Sequence, residues 1–280
     1  MTGRRSWRRL LVLYLAGALM VVWSIGPTLW MALASVVPQG DFTRARGLAR
    51  VDRWSLDAYR DVLGESGFRD AIRTSAVVAL STTVLCLVVC ALAGYALARL
   101  RPHGGRSLGL VLLAARAVPA LVLLIPLYLF MSRILNLADT IVGLVLVQTA
   151  LLSPFAVWML RTFFAEVPRS VELAARIDGC NRLQVFRHVT LPLSLQGLVA
   201  TAVFLFINTW NEFMIPLILS GSKAKTVTVE LAQLSSAPGG FFQFGPVMAA
   251  GIATVLPSVV FFLFTQRALV RGVTAGGVKA

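Results

Sequence analysis

The chain alternates long apolar runs with short, arginine-rich polar segments. Leu10 to Leu33 contains no charged residue. Comparable runs cover 74–98, 107–131, 140–160, 198–219 and 245–266, interrupted by charge at Arg116 in the third and Glu212 in the fifth. An α-helix rises 1.5 Å per residue, so roughly 20 apolar residues cross a hydrocarbon core about 30 Å thick. The pattern therefore predicts an all-α integral membrane protein with about six transmembrane helices. Residues 1–70 read as a membrane helix plus an external loop. Residues 71–272 read as the transmembrane core with a cytoplasmic loop at 161–197, and 273–280 as a tail. Ala32-Leu33-Ala34 after an arginine-rich start resembles a signal-peptidase site. A secretory apolar region is only about 7–15 residues, however, so the longer first run reads as an uncleaved helix.

Composition agrees: 58% of residues are hydrophobic and 14% charged, against about a quarter charged in soluble domains. A net charge of +14 raises nucleic acid as a partner. A nucleic-acid binder gathers its basic residues on a soluble patch, whereas these lie between apolar runs, so no nucleic acid is expected. They read instead as a membrane address. With the N-terminus inside, the cytoplasmic segments hold Arg4, Arg5, Arg8 and Arg9, then Arg99, Arg101 and Arg106. Arg161, Arg169, Arg176, Arg182 and Arg187 follow, and Arg267, Arg271 and Lys279 close the chain. Fewer basic residues lie outside, mostly in the long loop 38–70, which the positive-inside rule discounts. Both termini are expected in the cytoplasm. Cys86, Cys90 and Cys180 make no metal or redox pattern, and no metal site is expected.

The loop between the fourth and fifth runs has its own organisation. Pro168 suits a first helical turn, Val171, Ala174, Ala175 and Ile177 repeat with helical spacing, and Asp178-Gly179 supplies a break. Leu183, Phe186 and Val189 mark a second short amphipathic helix, which Leu191-Pro192 is expected to stop. From these residues alone, a cytoplasmic knob and a segment lying on lipid headgroups both fit.

Ala174-Ala175, Asp178-Gly179, Val189 and Leu191-Pro192 fall at the spacings of the EAA loop, and the segment resembles that loop in binding-protein-dependent ABC permeases. Ser55 to Arg60, Gly94 to Arg99, Trp210 to Phe213 and Val270 to Lys279 are similar to segments of the maltose-permease-like (MalG-like) carbohydrate importers. The resemblance implies a type I ABC importer permease fold in a bacterial inner membrane, with loop 161–197 docking on an ATP-binding subunit. It also implies a second homologous permease chain and an extracytoplasmic solute-binding protein. The Glu that opens the family's EAA triplet falls on Leu173, with Glu172 one position early. One helical residue turns a side chain by about 100°, which leaves Glu172 and Leu173 as alternative docking contacts.

Intramembrane polar residues are functional candidates by default. Asn208, Asn211 and Glu212 lie at i, i+3 and i+4 beside Trp210, and a continuous helix would make them one polar stripe. Amides, a carboxylate and an aromatic face suit a sugar pathway, and interhelical hydrogen bonding suits them equally. Arg116 is expected to face the bundle interior and to pair with Glu212 or a backbone carbonyl. Pro119, Pro126, Pro154, Pro216 and Pro257 are candidate kinks or hinges. The phosphate-binding pattern G-x-x-x-x-G-K-[ST] is absent, so no catalytic residue or cofactor is expected in this chain; ATP and magnesium belong to a partner ATPase. A secondary transporter would show inverted repeats, which are not seen, and a membrane enzyme would need a nucleophile–base pair, which is also missing. The solute stays open among sugars, polyols and glycerol phosphates or their diesters.

Overall fold

The structure is a computed structural model. It describes residues 3–38, 54–100, 117–236 and 244–276, with isolated positions between 107 and 114. Every regular element among the described residues is helical. In chain order these are α1 (Gly3–Ala34), α2 (Asp57–Gly64) and α3 (Ser66–Tyr95), which continues through a π-helical turn to Leu100. Next come α4 (Ala120–Leu129), extended by a π turn to Ile134, α5 (Ile141–Glu166), α6 (Arg169–Ile177) and α7 (Arg182–Val185). Last are α8 (Leu195–Trp210), α9 (Met214–Leu219), α10 (Val227–Ser235) and α11 (Phe244–Gly276).

Four described helices are long and apolar enough to cross a bilayer: α1, α3 with its extension, α5 and α11. α8 passes the same length and composition test only when joined to residues 182–193, from which it is bent by 77°. Two expected spans differ from simple rods, and proline and capping chemistry account for both. The third run is interrupted at 117–119, and Pro119 (φ −59°, ψ 125°) precedes α4 rather than lying inside a helix. Proline lacks an N–H and pushes the residue before it out of the helical region. The fifth run ends its helix at Trp210 and restarts at Met214. Glu212 Oε1 accepts from the backbone N–H of Met214 (3.1 Å) and Ile215 (3.3 Å), acting as the acceptor for the orphan donors of α9. Asn211 and Glu212 therefore leave the expected helical stripe.

The chain forms two compact units, 1–69 with 231–256, and 70–230 with 257–280. In the first, α1 exposes nearly all its side chains from Leu10 to Trp30, and burial begins at Ala34, Ser35 and Val37. The Ser35 and Tyr59 hydroxyls are hydrogen-bonded at 2.7 Å, and Ser55 N–H donates to Val36 O at 2.9 Å. These bonds tie the end of α1 to α2.

The second unit carries two buried clusters. Val78, Leu124, Met131, Leu144, Val147, Ile215 and Leu219 gather residues from α3, α4, α5 and α9. Cys86, Cys90, Ala156, Leu160, Phe164, Phe186 and Leu205 join α3, α5 and α8 to the turn after α7. Gly94 allows α3 to approach α5 closely, since a Cβ there would sit 3.0 Å from Arg161 N and 3.2 Å from Leu160 Cβ. Asp139, at φ 53°, ties the start of α5 to the 221–224 loop. Its Oδ1 accepts from Gly221 N (2.7 Å) and Ala224 N (3.0 Å).

Candidate functional site

Pro168 (φ −60°, ψ 128°) turns the chain out of α5 and into α6. The first residues of the expected 161–197 loop continue α5, which stays helical to Glu166. At the other end of α6, Gly179 adopts φ +92°, a left-handed conformation that costs glycine nothing. Asp178, Gly179 and Cys180 return their N–H groups to Ala174, Arg176 and Ala175 carbonyls at 2.9, 3.2 and 3.0 Å. Asn181 and Gln184 then form a reciprocal capping box at 2.9 and 2.8 Å that starts α7. The Ala174-Ala175…Asp178-Gly179 spacing thus encodes one short helix, its stop and the next start.

The two faces of this pair of helices differ sharply. Glu172 points inward, with Oε1 2.9 Å from Arg99 Nε at the end of α3, and both side chains are nearly buried. The same oxygen accepts from Thr190 Oγ1 at 2.8 Å. Phe186 packs with Tyr95 and Phe164, ring centroids 4.7 and 5.9 Å away. Val189 and Leu191 are half-buried, as is Ala175, whereas Ala174 and Pro192 are exposed. Outward, Leu173, Ile177 and Leu183 are 56%, 87% and 66% exposed. The expected Leu183–Phe186–Val189 face is corrected accordingly: Val185 and Phe186 go inside and Leu183 stays out. Pro192 does not stop the segment either. The helical path runs on to Leu193 and turns at Ser194 (φ −100°, ψ 16°), since a proline in a first turn needs no N–H partner. Beside the pair, a cavity of about 280 Å³ is lined by Arg99, Arg169, Arg176, Arg182, Glu172 and Leu173.

A second cavity of about 300 Å³ lies among α4, α5 and the α8–α9 break. Its polar lining is Gln148, Asn208, Thr209 and Glu212; Val118, Pro119, Leu151 and Ile215 are among its apolar walls. Of the predicted pathway residues, Asn208 and Glu212 meet here. The Asn208 amide donates to Phe204 O at 2.8 Å. Asn211 is outside the lining and donates to Ile207 O at 2.9 Å. Trp210 is buried and stacks on Phe206, centroids 5.8 Å apart, so its ring is a packing element. Arg116, and with it the expected pairing to Glu212, lies outside the described residues. Sequence reasoning misses Gln148 and Thr209. The available signal is modest: Gln148 is the single amide in the otherwise apolar 140–160 run.

The stretch holding both features, residues 90–275, matches the family model described as "Binding-protein-dependent transport system inner membrane component". The chain belongs to this family. Among its relatives is the probable ABC transporter permease protein y4oR of Sinorhizobium fredii, 38% identical over 225 residues and 80% of each chain. Another is the trehalose transport system permease protein SugB of Mycobacterium tuberculosis, 34% identical over 262 residues, 93% of this chain and 94% of that one. A chain of a bacterial ABC transporter involved in the import of the acidic polysaccharide alginate superposes with a TM-score of 0.82 at 21% identity. That match covers 95% of this chain and 98% of the other, and it shows the fold. As a member of this permease family, the chain is a transport subunit and a multi-pass protein of the bacterial inner membrane.

Proposed function

We propose that this chain forms half of the translocation pathway of an ABC importer for a carbohydrate, and that the 168–193 segment receives the ATPase stroke. The observation that carries the reading is the two-faced segment. Its inner face is locked to α3 and α5 by the Arg99–Glu172 ion pair and by Phe186. Its outer face offers Leu173, Ile177 and Leu183, bare side chains of a kind soluble surfaces seldom cluster. Leu173, rather than Glu172, is then the docking contact, because the Glu172 carboxylate is already engaged by Arg99 and Thr190. A push on the outer face reaches the membrane helices through packed, ion-paired contacts instead of a flexible loop.

The remaining subunits follow from this reading: a second homologous permease chain, two ATP-binding subunits and an extracytoplasmic solute-binding protein. ATP and magnesium sit on the ATP-binding subunits, and this chain contributes no nucleotide site. The termini and the 168–193 segment face the cytoplasm, in keeping with the arginine distribution. Carbohydrate as cargo is supported by the trehalose permease relative and the amide-lined cavity. Leu173→Asp and Ile177→Asp test the docking role in co-purification of the ATP-binding subunit with affinity-tagged permease. The expected result is loss of the ATPase from a permease that still folds; retention at wild-type levels by both variants overturns the proposal.

A further inference from the structure

Gln148 is 2% exposed, and among the described residues neither its Oε1 nor its Nε2 has a hydrogen-bond partner. Thr209 Oγ1, from the facing helix, is likewise buried and unpartnered. Native interiors pair nearly all such groups, and each exception calls for an explanation. Both residues line the same 300 Å³ cavity, at the lower end of the size range for small-molecule clefts. The other polar walls are committed locally: the Asn208 amide N–H₂ to Phe204 O, and Glu212 Oε1 to the start of α9. Gln148 and Thr209 thus sit in the cavity wall with their polar atoms just beneath its surface and, among the described residues, without partners.

We propose that Gln148 and Thr209 form a hydroxyl-binding subsite for the solute within the pathway, contributed by this chain itself. This rests on the carbohydrate-permease reading above. The chemistry selects the ligand class. A primary amide offers one acceptor oxygen and a donor N–H₂ side by side, and a threonine hydroxyl both donates and accepts. A sugar hydroxyl both donates and accepts, so an amide and a hydroxyl turned into the cavity match its chemistry. An anionic group would meet the Glu212 carboxylate in the lining. The walls therefore favour a neutral, hydroxyl-bearing ring. The site also lies beside the α8–α9 break.

The test begins with ATP-driven uptake of radiolabelled trehalose, maltose and diacetylchitobiose by the native host and by a strain lacking this chain. Uptake of none of them depending on the chain overturns the carbohydrate reading and the subsite with it. With the dependent sugar in hand, Gln148→Leu and Thr209→Val are compared with wild type on that sugar and on its deoxy analogues. A roughly fivefold to tenfold fall for the parent sugar is expected, the equivalent of one or two net hydrogen bonds. Uptake of one deoxy analogue should fall little, so that discrimination between the two collapses. Chain-dependent uptake with wild-type discrimination in both variants overturns the subsite alone. The melting temperature of the assembled transporter supplies an independent check. Removing a buried amide that has no partner should leave it unchanged or raise it. A drop accompanied by loss of the partner permease identifies Gln148 as an interchain contact and also overturns the subsite.

Discussion

Glu172 and Leu173 are adjacent in sequence yet act in opposite directions, one buried against Arg99 and the other 56% exposed. Removing one member of a buried pair leaves the other charge uncompensated, at a cost of about 3–5 kcal/mol. Glu172→Gln or Arg99→Met should therefore strongly destabilise the protein in detergent. The double variant Arg99→Met/Glu172→Met should recover most of the loss, and a thermal-unfolding double-mutant cycle measures the coupling. Additive losses would remove the clamp from the mechanism. Asp139 supports a pH prediction. Partial burial pushes its pKa up, but the N–H groups of Ala224, Gly221, Lys223 and Ser222 outweigh this and hold it below the ordinary carboxylate value. A depressed folded pKa contributes stability above the unfolded value, about pH 3.9, that is lost as pH falls through the folded one. The melting-temperature gap between wild type and Asp139→Asn should be flat above about pH 5 and should close below about pH 4. A gap that persists unchanged at lower pH would refute the assignment.

Between elements, close approach is set by glycine. A Cβ on Gly197 would lie 2.2 Å from Phe163 Cγ and 2.5 Å from its Cβ, near the stem of that side chain and not at a movable tip. Gly197→Ala should force α8 away from α5 and cost roughly 1–3 kcal/mol, typical of overpacking. A Cβ on Gly17 in α1 would meet nothing within 4 Å, so Gly17→Ala should leave the melting temperature unchanged or raise it slightly. Thermal-shift measurement of both variants separates contact from composition. The breaks follow the same local logic. Pro119 and the Glu212 acceptor end and restart helices inside apolar runs that hydropathy alone reads as continuous. The length of each run and the proline at 119 were legible in the sequence; the break at 211–213 depended on where a carboxylate oxygen met two backbone N–H groups.

For the molecule as a whole, orientation is a consequence of charge counted over loops. A periplasmic-active reporter inserted within 39–53 should be active, and one inserted at Cys180 should be silent; the reverse pattern would invert the topology and overturn the proposed docking of 168–193 on an ATPase. The nearly full exposure of α1 from Leu10 to Trp30 fits a helix whose solvent is lipid, where apolar side chains gain nothing from being covered by protein.

Membrane residence, the apolar runs and the position of the 168–193 helix pair were determined by the sequence itself, because hydrocarbon thickness, proline and glycine geometry and motif spacing act along the chain. Which way each polar group points was decided by the tertiary structure. Glu172 turned inward because Arg99, 73 positions away by residue number, came within 2.9 Å of it. Gln148 became notable only when α4, α5 and α8 packed beside a cavity and left its amide without a partner among the described residues. Sequence patterns report periodicity and composition; whether a polar group finds a partner depends on distances between helices far apart in the chain, and these arise only once the helices pack.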